Sequence, residues 1–250
     1  MQISWTSQQG RKRRQNSDAA AVGYCGEFLV ATIVDAAEKE ICGKAVTGTN
    51  ERGERLAQYW ATTCTEAILG PGVFNDTEYV IAQLAEHQKA LRECFLHDIA
   101  SYAVLILNEE SRALKWLFTG DCRFGFQHSG GNIEWLNTPH RLENAEIFKQ
   151  AADHPEKPLT SIEKQIAQHA LTQSLNARRF LLPELIEASL PANANVIAAT
   201  DGFWCEHLFT GTALGDLEDD ASWLTITPGR RSVQEKTDTP NFHLFTEDSK

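Results

Sequence analysis

At 250 residues the chain is long enough for one large domain or two small ones and can bury a sizeable core without disulfide staples. Hydrophobic residues at 42% and charged residues at 23% match an ordinary soluble globular protein. With 23 Lys and Arg against 34 Asp and Glu, the net charge of −11 argues against nucleic acid as the main partner, because phosphate backbones are held by clustered basic residues. The N-terminus carries charge and Gln where a signal peptide needs an apolar stretch, and no apolar run approaches membrane-spanning length, so no membrane partner is expected. Cys25, Cys42, Cys64, Cys94, Cys122 and Cys205 lie far apart with no CxxC pair, as reduced and mostly buried thiols would, and a cytoplasmic location follows as the expectation.

Along the chain, the dense basic run Arg11-Lys12-Arg13-Arg14 comes first, either a solvated turn or a place where a guanidinium meets a phosphate. Ser17 to Asp35 has the pattern of two strands joined at Tyr24-Cys25-Gly26-Glu27. The second of these, Glu27 to Val34, is too apolar and β-branched to be half exposed, so it is expected to be buried on both faces and to deliver Asp35 at its end. Leu56, Tyr59, Trp60, Thr63, Ala67 and Ile68 then recur at helical spacing, and Gly70-Pro71-Gly72 stops that helix. A second helix is expected from Thr77 to Cys94, with Val80, Ile81, Leu84, Leu91 and Phe95 on its apolar side.

Strands return from Ala100 to Leu107, Leu114 to Thr119 and Arg123 to Gln127. Residues 139–192 turn polar and helical, punctuated by Pro155, Pro158, Pro183 and Pro191, and are expected to form a peripheral helical flap. Asn195 to Thr200 and Ser222 to Thr227 are the last expected strands, and residues 229–250 are expected to be a polar tail of uncertain order. Two strand groups separated by a helix pair fit an α+β layered domain over residues 1–228 better than alternating βαβ units.

Four acidic stations occur in this order: Asn16-Ser17-Asp18, Val34-Asp35-Ala36, Thr200-Asp201-Gly202 and Asp219-Asp220-Ala221-Ser222. Taken singly, an Asp after a strand is a turn former or helix cap. Together they are the oxygen ligands from which Mg²⁺ or Mn²⁺ sites for phosphate-ester hydrolysis are built. No nucleophile elbow, HExxH or Walker loop competes, and Cys25, Cys122 and His140 have the context of packed or solvent-exposed residues.

These stations resemble, over about Arg13 to Thr227 and in the same order, the motifs of the PPM or type 2C serine/threonine phosphatases. The resemblance implies a four-layer α-β-β-α sandwich with two central antiparallel sheets flanked by helices. Arg13 with Asn16-Ser17-Asp18 looks like the family's opening motif, which would make Arg13 the phosphate holder and put Asp18 near the metal-bound water. Asp35-Ala36-Ala37-Glu38-Lys39 stands where the family has Asp-Gly-His-Gly-Gly, so Asp35 would bridge two metal ions and the Ala36 carbonyl would bind one of them. Gly120-Asp121-Cys122-Arg123 is similar to the central Gly-Asp-Ser-Arg, implying that Asp121 binds an extra metal or an outer-shell water. Thr200-Asp201-Gly202-Phe203-Trp204 and Asp219-Asp220-Ala221-Ser222 resemble the last two motifs, with Asp201 and Asp219 as metal ligands.

The implied function is a protein phosphatase acting on phosphoserine and phosphothreonine through two Mn²⁺ or Mg²⁺ ions about 4 Å apart. It would act as a monomer on a phosphoprotein substrate, opposing a serine/threonine kinase. The departures gather in one loop: Ala37 replaces the His taken as general acid, a loss commonly on the order of 10²-fold in rate, and Ser17 replaces a Glu. Two alternatives stay open at this level, a pseudophosphatase that binds a phosphoprotein without efficient turnover and a metal-dependent hydrolase of a small phosphate ester.

Overall fold

Period-2 alternation inside the apolar runs decides how the layers stack. The computed structural model describes residues 1–37, 40–41, 44–45, 50–152 and 159–246. In chain order, β1 (Gln2–Gln8), β2 (Asp18–Cys25), β3 (Phe28–Ala36) and the short β4 (Glu40–Ile41) and β5 (Lys44–Ala45) lead into two helices, α1 (Asn50–Leu69) and α2 (Thr77–Cys94). Four strands follow: β6 (Ile99–Asn108), β7 (Ala113–Thr119), β8 (Arg123–His128) and β9 (Ile133–Trp135). The remainder comprises α3 (Glu146–Ala152), α4 (Ser161–His169), β10 (Leu175–Asn176), β11 (Glu184–Ser189), β12 (Ala194–Ala199), β13 (Ala221–Thr227), β14 (Ser232–Thr237) and β15 (Phe242–Phe245).

One sheet has the order β14-β1-β13-β12-β8-β9 and the other β11-β7-β6-β3-β2-β15, with β10 also pairing with β6. Along β3, Leu29, Ala31 and Ile33 face the core between the sheets, while Val30 and Val34 face the core under the helices. The same split runs along β6, where Ala103, Leu105 and Leu107 oppose Tyr102, Val104 and Ile106. Each strand is therefore buried on both faces, and Thr32, the one polar residue between Val30 and Val34 on the helix side of β3, is buried with its hydroxyl 2.8 Å from that of Thr65. Trp116 of β7 stacks on Phe124 of β8 at a centroid distance of 4.2 Å, locking the two sheets together, a contact contributing roughly 0.5–1.5 kcal/mol beyond the burial of its area.

The helix pair covers one sheet, with Leu56, Trp60, Cys64, Leu84 and Leu91 in the core beneath it. Asp76 caps α2 by accepting from the Tyr79 N–H at 3.0 Å, which fixes where the chain turns back over the sheet. Gly53 lets the start of α1 approach the sheet closely, since a Cβ there would lie 2.8 Å from Ser17 Oγ. The outer face of the other sheet is covered more thinly, by the π-helical segment Gly202–Phe209, whose Phe203 stacks on Trp223 of β13 at 4.2 Å.

Two sequence expectations are corrected. Residues 229–246 are not a tail of uncertain order: β14 runs parallel to β1 and β15 parallel to β2, so each otherwise antiparallel sheet gains a parallel edge strand. Asn241, between them, is buried and binds Trp5 Nε1, Ser7 Oγ and the Asp18 carbonyl at 3.0, 2.7 and 3.0 Å. The stretch 139–192 is not wholly a helical flap either, because β11 pairs with β7 along its full length as an edge strand. Its exposed faces carry Glu184 and Glu187, which hid the strand pattern. A strand not anticipated from the sequence, β1, alternates Ile3 and Trp5 with polar residues and lies inside its sheet between β14 and β13. Among the described residues no helix is long and apolar enough to cross a membrane.

Candidate active site

Antiparallel pairing brings distant loops to one end of the sandwich. β1 ends at Gln8 opposite Ala221, the start of β13, so the basic run lies beside Asp219 and Asp220. Asp18 at the start of β2 is directly opposite Asp35 near the end of β3, and Asp35 is opposite Ser101 near the start of β6. Asp121 occupies the β7–β8 turn, and Asp201 follows β12 as the residue that opens the π-helical segment. Gly120, at φ +99°, makes the turn that aims Asp121 inward.

Arg13, Asp35, Ala36, Asp121, Asp201 and Asp219, all singled out from sequence, line a single cavity of about 160 Å³ together with Ala37, Ala100, Ser101, His169 and Leu171. Asp18 does not line it: it is buried behind Asp35, accepting a hydrogen bond from Thr200 Oγ1 at 2.9 Å. Ala36 ends β3 with its N–H donating to the Ser17 carbonyl at 3.0 Å. Its backbone has no positive φ, so the alanine sits there without strain. Glu38 and Lys39, the rest of the divergent loop, lie outside the described residues.

Adjacent aspartates divide the work at the start of β13. Asp219 turns to the cavity and takes Arg13 Nε at 2.6 Å. Asp220 turns away and is buried, accepting from the backbone N–H groups of Gly10 at 2.9 Å and Ser17 at 2.8 Å, which ties the first acidic station to the last. Arg11 and Lys12 pair on the surface, with Asp216 at 2.9 Å and Glu218 at 2.6 Å, so Arg13 alone of these three reaches the cavity.

Burial pushes the carboxyls of Asp18, Asp35 and Asp201 well above the usual carboxylate range, and the charges of their acidic neighbours push them further. Asp220 is pushed up to about 7, chiefly by burial, although its two backbone partners oppose the shift. Such a cluster is short of positive charge. Among the described residues no hydrogen bond reaches the Asp35 carboxyl, which fits an oxygen waiting for a hard cation.

The donor set fits a metal unevenly. Among the described residues no three His, Cys, Asp or Glu side chains are gathered as a ready coordination cage. Two guanidiniums hold the oxygens such a cage needs: Arg13 on Asp219, and the buried Arg141 on Asp121 and Asp201, each at 2.7 Å. The Asp35 edge of the cluster suits a divalent ion, and the Asp121 edge already has a cation.

Arg141 and His169 are site residues without a sequence signal. Both come from the polar stretch 139–192, where nothing in the sequence distinguishes the buried Arg141, or the exposed His169 at the cavity wall, from solvated neighbours. His140 is a packed residue: it accepts from the Gly120 N–H at 3.1 Å and stacks on Phe118 at 4.8 Å. Cys122 is a buried thiol held in its protonated form by burial and the nearby carboxylates, so the site has no thiolate nucleophile there.

The sequence matches no family model and no curated protein. The folded chain is nevertheless similar to the serine/threonine phosphatase of S. agalactiae, with a TM-score of 0.68 at 14% identity over 90% of this chain and 98% of that one. It is similar to MsPP, a PPM Ser-Thr phosphatase from Mycobacterium smegmatis solved with cacodylate, with a TM-score of 0.64 at 14% identity over 91% and 98%. A third likeness is to the catalytic domain of the phosphatase PstP in complex with 2 manganese ions, with a TM-score of 0.60 at 15% identity over 89% and 96%. At such identities the likeness establishes the fold, and this chain has the α+β sandwich fold of the PPM-type phosphatases.

Proposed function

We propose that the chain is a metal-dependent phosphatase that hydrolyses phosphoserine and phosphothreonine in a protein substrate, working as a cytoplasmic monomer against a serine/threonine kinase. The observation that carries this is the convergence of Arg13, Asp35, Asp121, Asp201 and Asp219, from five separate stretches of the chain, on one small cavity in a fold of this type. Asp35, Asp201 and Asp219 are the residues that would hold Mn²⁺ or Mg²⁺. Bound there, the metal supplies a Lewis acid and a hydroxide at neutral pH.

The chain's own residues then do three things. Arg13, whose planar fork matches phosphate oxygens, orients the phosphate and offsets its charge at the cavity wall. The backbone staple through Asp220 fixes the loops that carry Arg13 and Asp18 relative to Asp219, so the geometry exists before substrate arrives. His169 at the end of α4 lines the same cavity as Ala37 and gives its proton to the leaving alkoxide, a task the alanine side chain cannot perform.

The test is hydrolysis of p-nitrophenyl phosphate and a phosphothreonine peptide with added Mn²⁺, with Asp35→Asn and Asp201→Asn as controls. Turnover that needs the ion and disappears in both variants is expected. Turnover in chelator that both variants retain would remove the proposal. The guanidinium partners of Asp121, Asp201 and Asp219, with Ala37 in the loop, favour a second reading as a phosphoprotein-binding pseudophosphatase. Binding of the phosphopeptide with no turnover at any Mn²⁺ concentration would select it.

A further inference from the structure

Among the largest fully buried side chains of the described residues, Arg141 is the charged one, at 1% exposure. Its guanidinium is engaged on every edge. Nε donates to Asp121 Oδ2 and Nη2 to Asp201 Oδ2, both at 2.7 Å, while Nη1 approaches Cys205 Sγ at 3.5 Å. One face lies over the Trp204 ring at 4.4 Å, and the indole Nε1 of that tryptophan donates to the Asp121 carbonyl at 2.9 Å. The remaining Asp121 oxygen, Oδ1, accepts from Ser101 Oγ at 2.7 Å. The backbone is braced as well, for Arg141 pairs with Leu171 and the Leu142 N–H donates to the Ala170 carbonyl at 2.8 Å.

We infer that Arg141 is a built-in monocation that takes the place of a divalent ion at the Asp121–Asp201 edge, confining divalent-ion binding to the Asp35 edge of the same cluster. A guanidinium is not deprotonated in a protein, so raising the pH does not vacate the edge. An ion entering there has to expel a group stacked and hydrogen-bonded on all sides, and leave it buried without a partner. At the Asp35 carboxyl, which receives no side-chain hydrogen bond among the described residues, no guanidinium has to be displaced. Arg141 thus positions Asp121 and Asp201 and sets how many ions the chain takes. This rests on the reading of the cluster as a divalent-ion site.

The test counts ions directly, by equilibrium dialysis against Mn²⁺ followed by metal analysis, on the whole chain and three variants whose folding is followed by circular dichroism. One Mn²⁺ per chain is expected for the unaltered protein and for Arg141→Lys, and two for Arg141→Ala, with a larger Mn²⁺-induced rise in melting temperature in that variant than in the parent. Asp121→Asn is expected to keep the single ion, and it decides the matter should Arg141→Ala fail to fold. Two ions in the unaltered chain, or loss of an ion in Asp121→Asn, would overturn the inference and leave the phosphatase reading standing. No Mn²⁺ on any of the proteins would overturn both.

Discussion

Asp220 offers the sharpest quantitative test of how the site is assembled. Its replacement by Ala removes the acceptor for two backbone donors, Gly10 N–H at 2.9 Å and Ser17 N–H at 2.8 Å, at a position 4% exposed. Orphaning a buried donor costs about 1–3 kcal/mol, so about 2–6 kcal/mol is lost on the acid side. There is an opposing effect at higher pH. A carboxyl whose folded pKa lies above its unfolded one keeps a proton that the unfolded chain has released. With Asp220 raised from 3.8 to about 7, its contribution to stability is therefore largest in acid and is lost as pH rises through about 7. At about 1.4 kcal/mol per pH unit, the intact chain loses about 3 kcal/mol through this one group between about pH 5 and about pH 8, and Asp220→Ala does not.

Urea unfolding of both proteins in chelator at the two pH values measures this. The destabilisation by Asp220→Ala is expected to be about 3 kcal/mol smaller at the higher pH. Equal destabilisation at both would show that Asp220 is an ordinary surface-like carboxylate, and the account of it as a desolvated staple would fall.

The other predictions concern the cavity and the edges. Asp35→Asn removes a carboxylate crowded by Asp201, Asp18, Asp121 and Asp219, so in chelator above neutral pH its melting temperature is expected to rise by a few degrees while the response to Mn²⁺ disappears; a lower melting temperature would contradict this. Arg13→Ala is expected to lower kcat/KM for p-nitrophenyl phosphate on the order of 10²-fold, and an unchanged value would take Arg13 off the phosphate. His169→Ala should spare p-nitrophenyl phosphate, whose leaving group needs no proton, and slow the phosphothreonine peptide on the order of 10²-fold. Equal effects on both substrates would deny it the role of acid. Ending the chain after Pro228 strips β14 and β15 and leaves Trp5 Nε1 without Asn241, and calorimetry should show a melting temperature lower by roughly 10 °C or more.

Much of this was legible along the chain because the core strands are apolar on both faces. Such a run has no other stable place than between layers, and the helix from Thr77 to Cys94 announces itself by the helical spacing of its apolar residues. The polar elements were not legible. β1 buries only Ile3 and Trp5 with Met1 and Ser7 beside them, and β11 and β14 lie at sheet edges where one flank of the backbone and most side chains meet water. Their strand state comes from ladder hydrogen bonds to partners already in place, a long-range condition that leaves no local mark.

The same division runs through the site. The acidic stations marked Asp35, Asp201 and Asp219 as carboxylates that meet, because a strand terminus carries its neighbouring Asp to the rim whatever the loops between do. What meets those carboxylates was decided in three dimensions. Arg141 and His169 lie in a polar stretch, Asp219 and Asp220 are neighbours with opposite assignments, and Asp18 stands behind Asp35 and not in the cavity. Sequence fixes which charges are carried inward; only the packed structure determines which partner each one finds, because desolvation makes every unmatched charge expensive and the match is made by whatever residue the fold brings within reach.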